Sequence, residues 1–134
     1  MSAGGRELLT ALGERLGLPG LSFDEESRTC ALAFDRRVTV HLALDERVGE
    51  LVMFAVLGEL APEGRQADCE AMLRGNYLWR VTAGATLSLD PEQDAALLAR
   101  ASPLPGLDAA ALEETLTRFV GVAFGWVDRF RAGA

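Results

Sequence analysis

The chain has 134 residues, of which 20 are Asp or Glu and 13 are Lys or Arg, and its net charge is −7. This length predicts one domain over residues 1–134 with one hydrophobic core. Nucleic-acid binding needs clustered basic residues, so the acidic balance argues against a nucleic-acid partner. No stretch of about 18 apolar residues occurs, which argues against membrane insertion, and the N-terminal sequence does not look like a secretory signal. We therefore expect a cytoplasmic protein.

A leucine stripe at helical spacing predicts the first helix, and it comprises Leu8, Leu9, Leu12 and Leu16. Gly17 and Pro19 predict the end of this helix, because glycine adopts the left-handed conformation and proline cannot continue a helix. The stripe has two interpretations. It belongs either to the core or to one half of a groove that binds a partner segment.

Three strands are predicted next. Apolar residues alternate over 29–34 and 38–44, and the short polar turn between these strands makes the pair antiparallel. The third strand, residues 50–58, is apolar on both faces, a pattern typical of strands that are covered on both sides. The chain is too short to cover both faces with its own helices. We favour a helix on one face and a partner protein on the other, and the alternative is a strand that is simply central.

The next segment is predicted to be a helix near residues 65–78, followed by a strand at 85–89. Residues 96–101 are predicted as a further strand, although alanine is a weak strand former and a short helix is the alternative. Tyr77 and Trp79 lie at the junction between the helix and the strand. Each ring combines a large apolar area with one polar atom, which fits core packing and a subunit interface equally well.

The last helix has the clearest local signals. Asp108 is its predicted N-cap, and Leu107 and Leu112 occupy the positions of a hydrophobic staple. Gly121 and Gly125 reduce helix propensity, so we expect them to pack closely against a neighbouring element. The predicted core-facing stripe consists of Leu112, Leu116, Phe119, Val120, Ala123, Val127 and Phe130.

The sequence gives no positive support for an enzyme. His41 is the only histidine, and Cys30 and Cys69 are isolated, so neither a catalytic site nor a metal site is indicated. The cysteines are better interpreted as buried thiols. No phosphate-binding loop or catalytic motif occurs, and no cofactor is expected.

One ordered set of residues runs through most of the chain and comprises Leu16-Gly17-Leu18, Phe23-Asp24, Leu57-Gly58, Arg65, Asn76, Leu78-Trp79, Thr82, Gly84-Ala85-Thr86-Leu87, Leu89-Asp90-Pro91 and Leu107-Asp108. This set resembles a known family, the class I chaperones of bacterial type III secretion, also called the Tir-chaperone family. The resemblance extends from about Leu8 to about Trp126. Ala83 departs from it, because the family often has a second glycine there, which costs little if φ is negative at this residue.

The resemblance implies an α+β fold of order α-β-β-β-α-β-β-α, with helices packed on a twisted, mostly antiparallel sheet. It also implies a homodimer that binds the N-terminal segment of a secreted effector as an extended chain, does not hydrolyse ATP and contacts the export ATPase. The alternatives are a small α+β ligand-binding or regulatory module, since fold does not determine function, and an enzyme of unrecognised type that uses His41.

The resemblance also assigns residues to the two kinds of contact. The second helix and the strand after it form the dimer interface, which implies Met72, Tyr77, Leu78, Trp79, Leu87 and Leu89. The first helix and the early strands bind the effector, which implies Leu8, Leu12, Leu32, Phe34, Val40 and Leu42. Alternation alone does not identify the exposed face of the sheet. The acidic surface is expected either to favour a basic effector segment, with an affinity that falls as salt is raised, or to repel other chaperones.

Overall fold

The computed structural model describes residues 3–132, without the side chain of Ala3. A short 3-10 turn, Tyr77–Trp79, follows the second helix. The element order confirms the predicted α+β fold. The elements are α1 (Ala3–Arg15), β1 (Thr29–Phe34), β2 (Val38–Asp45), β3 (Glu50–Glu59), α2 (Arg65–Gly75), β4 (Thr86–Leu89), β5 (Ala95–Pro103) and α3 (Ala109–Ala132).

Over this part of the chain the strands form one antiparallel five-stranded sheet in the order β1-β2-β3-β5-β4. The uncertain stretch at 96–101 belongs to β5, which pairs with β3 on one side and with β4 on the other. Pairing on both sides outweighs the low strand propensity of alanine. β1 and β4 are the edge strands.

The core lies between one face of the sheet and the helices, where α3 packs on β2, β3 and α1. The N-cap prediction is confirmed, because Asp108 Oδ1 accepts a hydrogen bond of 2.8 Å from the Ala111 N–H. The predicted stripe of α3 is buried in full, from Leu112 to Phe130. β3 is a central strand, and α3 covers one of its faces.

The prediction for the two glycines of α3 is wrong within the described part of the chain. A Cβ atom at Gly121 or Gly125 would meet nothing within 4 Å, and both residues are exposed. Helical periodicity places them away from the buried stripe. The tightly packed glycine is Gly75, where a Cβ would lie 2.9 Å from Trp126 Cζ2 and 3.1 Å from Leu87 Cδ1.

The backbone at Ala83 also differs from expectation. Its φ is +52°, so this alanine adopts the left-handed region beside Gly84, whose φ is +85°. A Cβ atom in this region costs roughly 1–2 kcal/mol. The departure from the family pattern at Ala83 therefore does carry a backbone cost.

Candidate functional site

A cluster of exposed apolar side chains lies at the end of α2 and in the turn after it. Among the described residues, it contains five of the eight exposed large hydrophobic side chains. We call these five the 73–81 surface: Leu73 (73% exposed), Tyr77 (65%), Leu78 (55%), Trp79 (52%) and Val81 (69%). Contiguous exposed apolar side chains on a small protein are typical of a protein–protein contact.

Specific hydrogen bonds hold the 73–81 surface against β4. The Asn76 side chain acts as a strand partner of Leu87: its Nδ2 donates to the Leu87 carbonyl at 3.0 Å, and its Oδ1 accepts from the Leu87 N–H at 2.8 Å. Trp79 Nε1 donates to Thr86 Oγ1 at 3.1 Å. Leu78 and Trp79 have φ of +51° and +54°, an uncommon conformation for large side chains. The turn therefore exposes these side chains in a defined, strained conformation.

A groove of about 630 Å³ runs along the edge strand β1. Leu16, Leu18 and Leu21 of the α1–β1 segment line it together with residues 31–34 of β1, which include Leu32 and Phe34. Within residues 3–132, β1 pairs only with β2, so its outer backbone edge is available to another strand. We call this feature the β1 groove.

The face of the sheet opposite the helices is apolar and open. Ala31, His41, Phe54, Ala99 and Thr86 form one row across the five strands. The rings of His41 and Phe54 are stacked, with centroids 5.1 Å apart. This face also includes Val52, Val56 and Leu97, which do not belong to the hydrophobic core between the sheet and the helices. Because Thr86 accepts the hydrogen bond from Trp79, this row leads directly to the 73–81 surface.

The chain matches the family model described as the Tir chaperone protein (CesT) family over residues 7–127. The chain belongs to this family. The match covers the residues of both the β1 groove and the 73–81 surface. None of the curated proteins matches the chain.

Solved structures agree with the family assignment. The chain is similar to a chain of the ExsC–ExsE complex, with 24% identity, a TM-score of 0.79 and 97% of each chain covered. It is similar to a chain of the Yersinia pestis complex of the type III secretion chaperone SycH with a fragment of YscM2, with 26% identity, a TM-score of 0.72 and coverage of 90% and 98%. It is also similar to a chain of the Pseudomonas aeruginosa ExoT–SpcS complex, with 25% identity, a TM-score of 0.71 and coverage of 93% and 98%.

The six residues predicted for the dimer interface of this Tir chaperone domain divide into two layers. Tyr77, Leu78 and Trp79 are exposed in the 73–81 surface, whereas Met72 and Leu87 are each only 4% exposed. Leu89 is half-buried beside them. The first three have side-chain area that a partner could contact, whereas Met72 and Leu87 belong to the core and Leu89 packs against it. A dimer through these residues stays a prediction.

The residues predicted to bind the effector are mostly on the covered face. Leu12, Leu32, Val40 and Leu42 are at most 4% exposed, because they face the helices and form the protomer's own core. They offer almost no surface to a partner in this conformation, and only Leu8 and Phe34 are half-buried. The sequence analysis missed Leu18 and Leu21 of the β1 groove. Their position in the sequence could have identified them, because they lie in a segment that contains Gly and Pro, where no helix or strand would bury their side chains.

The chemistry of the remaining groups is limited. Within residues 3–132 no group of three His, Cys, Asp or Glu side chains could hold a metal ion. Burial raises the pKa of the Cys30 thiol, which keeps this group protonated at neutral pH.

In the described part of the chain, none of the helices has the length and apolar character needed to cross a membrane.

Proposed function

We propose that this protein binds the N-terminal segment of a type III secretion effector as an extended, non-globular chain and keeps it soluble and ready for export. Membership of the Tir chaperone family supports the effector-binding role, and so does the similarity to a chain of the complex of a type III secretion chaperone, SycH, with a fragment of YscM2. The protein acts in the bacterial cytoplasm without hydrolysing ATP. The family resemblance adds a contact with the export ATPase, which a binding measurement with that purified ATPase would test.

The single observation that carries the binding mode is the β1 groove. An extended segment can pair its backbone with the outer edge of β1 while its apolar side chains enter the groove beside Leu16, Leu18 and Phe34. Backbone pairing gives affinity with little dependence on sequence, and the apolar side chains set the register. This arrangement suits a ligand that must be held unfolded.

The 73–81 surface supports a homodimer. It is apolar, exposed and held by defined hydrogen bonds to β4, as the buried centre of a subunit interface would be. Two copies joined through this surface would leave the β1 groove free, because the groove and the 73–81 surface are formed by opposite edges of the sheet. One dimer would then offer two grooves to one effector segment.

The test is co-expression of the protein with each protein encoded next to its gene, followed by co-purification. We expect one of these proteins to be retained through its N-terminal segment, and limited proteolysis of the complex to leave that segment bound. Leu18→Asp, which adds a charge to the β1 groove, should abolish retention. The matched control is Val48→Asp, because Val48 is also exposed but lies in the β2–β3 turn. Equal retention by both variants would contradict the proposed groove.

The salt dependence of the same complex tests the electrostatic part of the proposal. The net charge of −7 should draw a basic effector segment to the surface, so affinity should fall between low and physiological ionic strength. An affinity that does not change with salt would contradict this part and leave the apolar docking in place.

A further inference from the structure

A second groove, of about 530 Å³, lies between the first turns of α1 and the loop that leads into β1. Its floor is apolar, formed by Leu9 and Phe23, which are 2% and 8% exposed. We call it the arginine groove, because Arg6 of α1 and Arg28 of the loop both line it. The other lining residues are Thr10, Leu21, Ser22 and Glu25.

The two arginines of this groove have no carboxylate partner among residues 3–132. Six of the 13 arginines form no ion pair within these residues, and Arg6 and Arg28 are the two of the six that line this groove. Glu25 is the acidic residue of the groove lining, so the lining carries a positive charge on a protein whose net charge is negative. Ion pairs are formed by seven other arginines, namely Arg15, Arg37, Arg47, Arg65, Arg74, Arg118 and Arg129.

Hydrogen bonds within the loop fix the position of Arg28. Asp24 Oδ1 accepts from the Glu26 and Ser27 N–H groups, each at 2.9 Å, and the Asp24 carbonyl accepts from the Arg28 N–H at 2.7 Å. The bonds from the Ser27 and Glu26 N–H groups lower the pKa of the Asp24 carboxyl. Arg28 itself has a φ of +58°. The loop therefore fixes the backbone from which the Arg28 side chain reaches the groove.

The arginine groove continues the β1 groove. Leu21 lines both of them, so a chain that lies along β1 can pass from one to the other without leaving the surface. The Asp24 N–H donates to the Thr29 carbonyl at 2.8 Å, which places the arginine groove next to the first residue of β1.

We propose that the arginine groove binds an acidic residue of the effector segment, with its carboxylate between Arg6 and Arg28 and its apolar neighbours on Leu9 and Phe23. The inference rests on the proposed function and adds a specificity to it. Arginine forms strong charge-assisted, often bidentate, hydrogen bonds with carboxylates. The surrounding negative charge repels acidic segments elsewhere on the surface, so this groove determines the register of the bound segment.

The test uses two synthetic peptides of 12 residues as probes, identical except that one carries two central Asp residues and the other two Asn residues between leucines. We expect the purified protein to bind the Asp peptide about tenfold more tightly at low salt, a difference of ~1.4 kcal/mol. Arg6→Glu and Arg28→Glu should each remove this preference. Arg131→Glu is the matched control, because Arg131 is exposed, has no ion pair within residues 3–132 and lies at the end of α3.

Equal affinity for the two peptides, no binding of either, or the same loss in the Arg131→Glu variant would each overturn the proposal. Circular dichroism of every variant should show an unchanged fold. The co-purification described above separates this result from the proposed function. An effector segment that is retained by the protein while the two peptides are not distinguished would overturn the arginine groove alone, whereas failure to retain any segment would overturn the function.

Discussion

The stripe of α3 and the 73–81 surface are both rich in large apolar residues, but the side chains of the first are buried and those of the second are exposed. The α3 stripe is buried in full, and Phe119 at its centre is 1% exposed. In the 73–81 surface, Leu73 and Tyr77 are 73% and 65% exposed. The first segment closes the core of the protomer, and the second leaves apolar area exposed.

The backbone shows the same contrast. α3 is a continuous helix of 24 residues with a side-chain cap, whereas the end of α2 breaks into a 3-10 turn with positive φ at Leu78 and Trp79. A regular helix follows the periodicity of its apolar residues, while the turn accepts backbone strain to keep two large side chains exposed. Strain of this kind is common at functional surfaces.

The largest expected effect separates the two regions by protein stability. Phe119→Ala should lower the free energy of unfolding by about 4 kcal/mol, because it leaves a cavity in the core. Leu78→Ala should cost less than about 1 kcal/mol, and only at protein concentrations at which the dimer forms. Urea denaturation at two protein concentrations measures both effects. Similar, concentration-independent losses for the two variants would mean that Leu78 belongs to the core.

The second prediction concerns assembly. Trp79→Asp should weaken the dimer at least about 100-fold, since a carboxylate would be buried without a partner in an apolar interface. Light scattering should then give the mass of one chain, 14.3 kDa, in place of twice that value. Val48→Asp is the control, because Val48 is also exposed but lies outside the 73–81 surface. A Trp79→Asp protein that stays dimeric would place the interface elsewhere.

The third prediction tests how the 73–81 surface is attached to the sheet. Asn76→Ala should lower the free energy of unfolding by about 2 kcal/mol, because both the N–H and the carbonyl of Leu87 lose their partner. Asn76→Asp keeps the acceptor but turns a carboxylate oxygen towards the Leu87 carbonyl, so its cost should be at least that of the alanine variant. Thermal denaturation of the three proteins gives the ranking. An alanine variant as stable as the original would show that Asn76 does not hold β4.

The smallest effect sharpens the comparison on the α3 side. Gly121→Ala and Gly125→Ala should each raise the free energy of unfolding by about 1 kcal/mol, because both positions are exposed and helical. Gly75→Ala should lower it, since the new Cβ would lie 2.9 Å from Trp126. Denaturant titrations of the three variants check the signs. Destabilisation by the α3 changes would indicate that a second protein packs on that side of the helix.

Much of the fold could be predicted from local patterns. The alternation of Thr29–Phe34 gave the bounds of β1, and Asp108 identified the start of α3, because a cap and a two-residue period are properties of neighbouring residues. The stretch at 96–101 was ambiguous, because its strand state depends on pairing with β3 and β4, which lie far away in the sequence.

The site was harder to predict than the fold. Leu32 and Leu42 were assigned to effector binding and lie in the core, while Phe54 and Val56 of the opposite face are half-buried and exposed, respectively. Leu18 and Leu21 were missed because they lie in a loop, which lacks the hydrophobic periodicity from which buried and exposed positions are predicted. The positive φ of Ala83 could not be predicted from residue type, because Ala rarely adopts this conformation.

The sequence by itself determined the order of the elements, the two faces of each strand and the family to which the chain belongs, because these depend on residues close together in the chain or in fixed order along it. Only the tertiary structure decided which apolar residues stay exposed. All three helices contribute to the core on one side of the sheet, so the opposite face, the β1 groove and the 73–81 surface are left without cover in the described part of the protomer. The alternation of side chains along a strand defines its two faces, and packing against residues far away in the sequence decides which face is buried.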